Sequence, residues 1–316
     1  MNDENELHVV FGAGPVGLAV ADELAGRGGR VRLVNRSGRA DAPEGVEVVR
    51  GDASDPAFTR EVSAGASVVY NALNPPYNRW PELFPSLQAA VIEGAAAAGA
   101  KLVAMENLYM YGPTGGRPMT EDLPHAADTR KGEVRARMSE ELFAAHEEGK
   151  VRATAGRASD FFGPRVRDSA AGEIVFGRAV AGKGAQVAGD PDQPHTYAYV
   201  PDIGKGLVVL GERDEALGRA WHLPNPETVT TRRFVELVFE EVGGAPKIQR
   251  APKALLRVLG LFNPAVRETI EMLYEFEDPF VVDHSRFARA FGDHATPLRE
   301  AVRETVRWYG AQPRKA

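Results

Sequence analysis

An α/β fold built on a doubly wound parallel sheet, with a smaller C-terminal lobe, is predicted by three features of this 316-residue sequence. Short apolar runs alternate with helix-compatible stretches through the first half. A glycine-rich turn follows the first of those runs. After Arg157 the alternation gives way to loops rich in Gly, Pro and Asp. Strands joined through helices imply right-handed crossovers and a mostly parallel sheet covered on both faces.

The first run, residues 7–11 (LHVVF), ends in GAGPVG and then LAVADELAGRG, where Val16, Ala19, Val20 and Leu24 recur at helical spacing. This predicts strand, turn, helix. Further apolar runs at 31–34 (VRLV), 46–49 (VEVV), 67–73 (SVVYNAL), 101–105 (KLVAM) and 151–156 (VRATAG) predict the remaining strands. Helices are expected at 81–98 and 133–148 between them, and at 170–180 and 230–242 in the later part, which should cap the carboxyl edge of the sheet. The expected division is a nucleotide-binding part, residues 1–158 with 196–223, and a substrate-binding lobe, 159–195 with 224–316.

Composition narrows the function. Hydrophobic residues make up 43% and charged residues 26%, as in an ordinary globular protein. Net charge is -6 with both signs interspersed, so no phosphate-tracking surface for nucleic acid is expected. The absence of cysteine removes disulfides, thiolate catalysis and zinc-thiolate sites. The seven histidines are scattered without metal-ligand spacing, so no metal site is expected. The start, MNDENE, is acidic and polar, and no apolar run reaches the roughly 18 residues of a membrane span. A cytoplasmic protein, monomer or homodimer, acting on a small molecule is the expectation.

Gly12, Gly14 and Gly17, with Pro15 and Val16 between them, carry the strongest chemical signal. In such a turn the first glycine permits the tight bend and the second admits a pyrophosphate. The third lets helix pack on strand, and the helix N-terminus offers free N–H groups. This is the Rossmann pattern for a dinucleotide. The acidic residue that usually reads the NAD ribose is missing at the end of the second strand, which instead reads Asn35, Arg36, Ser37, Gly38, Arg39. An amide followed by two guanidiniums suits a 2′-phosphate, so NADP(H) is favoured over NAD(H). The alternative is that Arg36 and Arg39 are solvated loop charges.

With these motifs in order, the chain resembles the NAD(P)-dependent epimerase/dehydratase family, the extended short-chain dehydrogenases/reductases, along nearly its whole length. GDASD (51–55) is similar to the family's adenine-contacting segment, which implies a cofactor role for Asp52 and Ala53. VVYNALNPP resembles the strand end flanking the cofactor, implying the same for Asn71, Ala72 and Leu73. GRASDFFGP (156–164) and YAYVPDIGKGLV (197–208) resemble two later segments of the family.

The catalytic pattern departs from the resemblance. That family uses a Ser or Thr on the substrate oxygen and a Tyr with a Lys four residues later, whose ammonium favours the phenolate. Here LYMYG puts Asn107 in the Ser position, and counting onward puts Gly132 and Ala136 in the Tyr and Lys positions. No Tyr-x-x-x-Lys occurs in the chain. The atypical pattern leaves three readings: replacement of the relay by loop tyrosines and nearby bases, cofactor binding without turnover as in a sensor or regulator, or chemistry needing no such acid. For replacement, the candidates are Asn107, Tyr109, Tyr111 and Lys131, with substrate contact or aromatic packing as the alternatives for Tyr109 and the favoured reading for Tyr111. Asp160, His195 and Tyr197 are candidate substrate contacts, with turn-capping and backbone-bonded roles as their alternatives.

Overall fold

The computed structural model describes residues 6–250 and 270–313. Seven parallel strands form the central sheet. They are β1 (Leu7–Phe11), β2 (Arg30–Asn35), β3 (Glu47–Arg50), β4 (Ala66–Asn71), β5 (Lys101–Glu106), β6 (Arg152–Arg157) and Ala220–His222. From one edge the order is Ala220–His222, β6, β5, β4, β1, β2, β3, so the winding reverses between β1 and β4. A crevice opens at such a reversal, above the carboxyl ends of the two strands.

The strands read as nearly continuous apolar runs because both faces are covered. Successive side chains point to opposite faces. Val10 therefore packs with Leu18 and Val20 of helix α1 (Pro15–Gly26) and with Ile203 and Leu207 of the Val200–Glu212 helix. Val9 and Phe11 pack with Val62 of α2 (Pro56–Ser63), Val91 of α3 (Trp80–Ala98) and Leu142 of α4 (Arg130–Glu147). A third apolar cluster joins Phe162, Phe176, Tyr199, Phe234, Val302 and Tyr309, largely outside the sheet.

Two helices differ from the sequence reading. Helix α4 begins three residues before the expected 133, because the Thr129 hydroxyl accepts from the Gly132 amide at 3.1 Å and caps the first turn. Residues 170–180 are not one α-helix: a π-helical turn, Glu173–Gly177, runs into the short turn Arg178–Val180. Ser169 accounts for the late start, since its hydroxyl donates to Phe161 O at 2.6 Å and accepts from Ala171 N at 3.1 Å, holding the backbone in a local turn. Among the described residues no helix is long and apolar enough to cross a membrane.

Candidate active site

The glycine turn sits at the reversal point. Gly12 has φ +105°, and a Cβ there would lie 2.5 Å from the Ala72 carbonyl oxygen, so the chain crosses β4 at a distance only glycine allows. A Cβ on Gly17 would lie 1.8 Å from Gly12 O. Gly14 differs: it is exposed, and a Cβ there would meet nothing within 4 Å. Gly14 is also the N-cap of α1 and no side chain caps the helix, so the first turn faces open space with its positive end. Pro15 opens the helix and Val16 lies against the adjoining cavity. The turn thus fits a dinucleotide pyrophosphate, with room at Gly14 and close packing at Gly12 and Gly17.

At the end of β2 the Asn35 side chain is spent on its own turn: its amide donates to Arg39 O at 2.8 Å and its oxygen accepts from Gly38 N at 2.7 Å and Ser37 Oγ at 3.1 Å. That turn projects Arg36 and Arg39 into solvent, and neither guanidinium has a hydrogen bond or ion pair to a described residue. Asp52 lies beyond the end of β3, where the Ser54 amide and hydroxyl, at 2.9 and 2.7 Å, hold its carboxyl below the usual range. Ala53 beside it is buried. Asn71 is buried, its oxygen accepting from Leu73 N at 3.3 Å, and Ala72 and Leu73 continue into the cavity wall.

A cavity of about 440 Å³ lies above the carboxyl ends of the strands, between the ends of β4, β5 and β6 and residues 272–280. Its walls are mostly aromatic and aliphatic, with Trp80, Phe84, Phe161 and Phe276 among them. Its polar groups include Asn107, Tyr109, Tyr77, Glu106, Arg135, Asp160 and Glu275.

Of the four candidate catalytic residues, the structure brings Asn107 and Tyr109 into this cavity. Asn107 Oδ1 accepts from Tyr109 N at 3.4 Å, which folds the turn and leaves the side-chain amide as a donor. The Tyr109 ring lies over Trp80, centroids 5.9 Å apart, with its hydroxyl 3.5 Å from that of Tyr77. Burial first, then Glu275, Tyr77 and Asp160, push its phenol well above the usual range. Tyr109 therefore stays protonated across neutral pH.

Tyr111 and Lys131 lie behind the wall. The Tyr111 hydroxyl accepts from Arg157 Nη1 at 2.6 Å and donates to His222 Nε2 at 2.9 Å. The direction follows because His222 Nδ1 faces a carbonyl, Asp283 O at 3.0 Å, and must be the ring's donor. Burial and then Arg157 push the His222 imidazole down to about 3, in keeping with that neutral tautomer. Lys131 is fully buried, its ammonium 4.2 Å from the Tyr77 ring centroid and 3.1 Å from Glu271 Oε1. Tyr111 is thus a buried packing residue, one of the roles expected of it, whereas Lys131 is buried in an ion pair rather than presented to the cavity as a replacement base.

The helix positions matched to the family's Tyr and Lys are also closed. A Cβ on Gly132 would lie 2.4 Å from Ala127 Cβ and 2.6 Å from Tyr109 O, while Ala136 packs against the cluster containing Leu108, Met110 and Phe280. The cation that reaches the cavity is instead Arg135. Its guanidinium lies 4.8 Å from the Phe84 ring centroid and donates to Met105 O at 3.2 Å.

Asp160 lines the cavity, its Oδ2 3.0 Å from His195 Nε2. His195 itself is buried behind it, with Nδ1 donating to Glu275 O at 3.1 Å and its ring stacked on Phe276 at 4.8 Å. His195 thus takes the backbone-bonded role rather than that of a substrate contact, and lies against Asp160 from behind the wall. Tyr197 lies outside the cavity, stacked on Phe234 at 4.2 Å with its hydroxyl 2.8 Å from Thr231 Oγ1. Sequence reasoning missed Glu275, Tyr77 and Trp80. The one hint at Glu275 is the interleaving of acids and aromatics in YEFE (Tyr274–Glu277).

The family model described as "NAD dependent epimerase/dehydratase family" matches residues 8–223. The fold is similar to that of several solved structures. The Bordetella bronchiseptica enzyme WbmH in complex with NAD+ is 18% identical, TM-score 0.74, over 96% of this chain and 98% of that one. An epimerase from Methanothermobacter thermautotrophicus is 18% identical, TM-score 0.80, over 96% and 92%. Thermus thermophilus UDP-glucose 4-epimerase in complex with NAD is 19% identical, TM-score 0.78, over 96% and 99%. Among curated proteins none matches the sequence.

Proposed function

The chain belongs to the NAD dependent epimerase/dehydratase family, and from that premise we propose that it is an NAD(P)-dependent oxidoreductase or epimerase acting on a small carbonyl or hydroxyl compound. The observation that supports this best is the joint placement of Tyr109 and Asn107 in a cavity whose wall continues through Ala72 and Val16 to the glycine turn. Gly12, Gly14, Gly17 and Asp52 would hold the cofactor, and the bound nicotinamide would supply or take up a hydride. The protein's own part is to bind and orient the substrate oxygen. Tyr109 and Asn107 donate hydrogen bonds to it, and the apolar walls exclude water. The usual Tyr-x-x-x-Lys relay has no counterpart in this arrangement.

Turnover tests the reading. Wild-type protein with NADPH and a panel of aryl and alkyl aldehydes and ketones should oxidise the cofactor. Tyr109→Phe, which removes one donor, should lower kcat by about 100-fold with the NADPH dissociation constant within about twofold of wild type. Stoichiometric NADPH binding without turnover on any compound would favour a sensor or regulator on the same fold.

The cofactor preference is a separate proposal. The exposure of Arg36 and Arg39 on the Asn35 turn supports pairing with a 2′-phosphate. Arg36→Ala should lower the ratio of NADPH to NADH affinity about tenfold, or about 1.4 kcal/mol, as read by calorimetry. An unchanged ratio would remove this proposal and leave NAD(H), the nucleotide seen in the WbmH and Thermus complexes, as the natural choice.

A further inference from the structure

We propose that Glu275 is the proton-transferring acid of this cavity, supplied by the second lobe to the substrate oxygen that Tyr109 and Asn107 bind. The proposal rests on the catalytic reading given above and adds to it the group that moves the proton.

Glu275 is 2% exposed, lines the cavity, and its Oε1 has no hydrogen-bond partner among the described residues. Buried polar atoms are nearly always paired, so an unpaired carboxyl oxygen beside a cavity points to a partner that arrives with the ligand. The residue is fixed while its carboxyl stays uncommitted: its carbonyl accepts from His195, and the neighbouring Phe276 ring stacks on that imidazole. Of the cations around this cavity, Lys131 pairs with Glu271 and lies over the Tyr77 ring, and Arg135 donates to Met105 O and lies over the Phe84 ring. What surrounds the carboxyl electrostatically is Asp160, Tyr77, Tyr109 and Tyr274.

Burial, and then Asp160, push the Glu275 carboxyl well above the ordinary glutamate range. That favours a carboxylic acid poised to give up its proton, whereas Tyr109 holds its own more tightly than a free phenol. In reduction the acid's O–H bond breaks and an O–H bond forms on the substrate oxygen as the C=O π bond opens. The carbon gains the hydride supplied by the reduced cofactor, and the carboxylate regains a proton from water. In oxidation Glu275 acts as the base.

The test uses the full chain saturated with NADPH. Infrared spectra of wild type at pH 7 should contain a protonated-carboxyl C=O band that is absent from Glu275→Gln; no such difference overturns the proposal. On the carbonyl panel, Glu275→Gln should lose about 100-fold in kcat with little change in KM or NADPH affinity. The fall of wild-type kcat/KM at high pH should also vanish in that variant. Glu275→Asp, which keeps the acid, should retain part of the rate. Turnover lost in Tyr109→Phe but unchanged in Glu275→Gln overturns this proposal alone; no turnover by the wild type overturns both readings.

Discussion

Replacing Arg157 with methionine should destabilise the fold by about 3–5 kcal/mol, the cost of leaving a buried charge without its partner. Arg157 is 3% exposed and Glu106 1%. The guanidinium donates through Nε to Glu106 Oε2 at 2.9 Å, through Nη1 to Tyr111 Oη at 2.6 Å and through Nη2 to Ser139 Oγ at 2.8 Å. Glu106 already has one oxygen, Oε1, without a partner, so loss of Arg157 would leave the buried carboxylate with the Ser139 hydroxyl, 3.2 Å from Oε2, in place of its charged partner. Methionine fills much of the space but gives back none of the three donors. Because Glu106 ends β5 and leads directly into Asn107, the damage would reach the cavity wall as well. Urea unfolding should show the loss as a lower midpoint. The double variant Glu106→Gln, Arg157→Met should be more stable than Arg157→Met, since it removes the orphaned charge. A single variant within about 1 kcal/mol of wild type would contradict this account of the network.

The second large effect separates two glycines of one motif. Gly17→Ala would place a methyl 1.8 Å from Gly12 O, so the turn and helix must move apart, and both stability and cofactor affinity should fall. Overpacking of this kind costs about 1–3 kcal/mol, and displacement of the turn should cost at least about 100-fold in affinity, or about 2.7 kcal/mol. Gly14→Ala would meet no protein atom within 4 Å, and its backbone at φ −77° is one that alanine adopts. It should therefore fold with stability within about 1 kcal/mol of wild type and lose affinity comparably, because its methyl fills the space available to the pyrophosphate. Thermal unfolding and calorimetry with NADPH separate the two cases. If Gly14→Ala bound NADPH as wild type does, the pyrophosphate would not lie against this turn.

Much of this arrangement is written locally in the sequence. The strands from Leu7–Phe11 to Arg152–Arg157 are legible because buried parallel strands are apolar on both faces, and the glycine turn because Gly12 and Gly17 tolerate no side chain. Asn107 and Tyr109 are legible as cavity residues from their place after β5. Helix starts are less so, since they turn on single hydroxyls such as those of Thr129 and Ser169. The candidate residues that lie off the cavity share one cause. Tyr111, Lys131 and Tyr197 have polar tips satisfied by partners remote in sequence, namely Arg157 and His222, Glu271, and Thr231. Their neighbours Tyr109 and Arg135 differ from them by orientation rather than by type. Glu275 was out of reach for a related reason, as it enters the cavity from a segment without a motif, packed there by His195 and Phe276.

The central claim is that a nicotinamide cofactor and a carbonyl compound meet in the Tyr109 cavity and react there. It is tested most directly by label transfer under single-turnover conditions, with NADPH deuterated at C4 on each face in turn and the aldehydes and ketones of the panel. The account predicts deuterium at the carbinol carbon of the product from one face only, at a rate about 100-fold lower in Tyr109→Phe. Stoichiometric NADPH binding with no label in any product would contradict it.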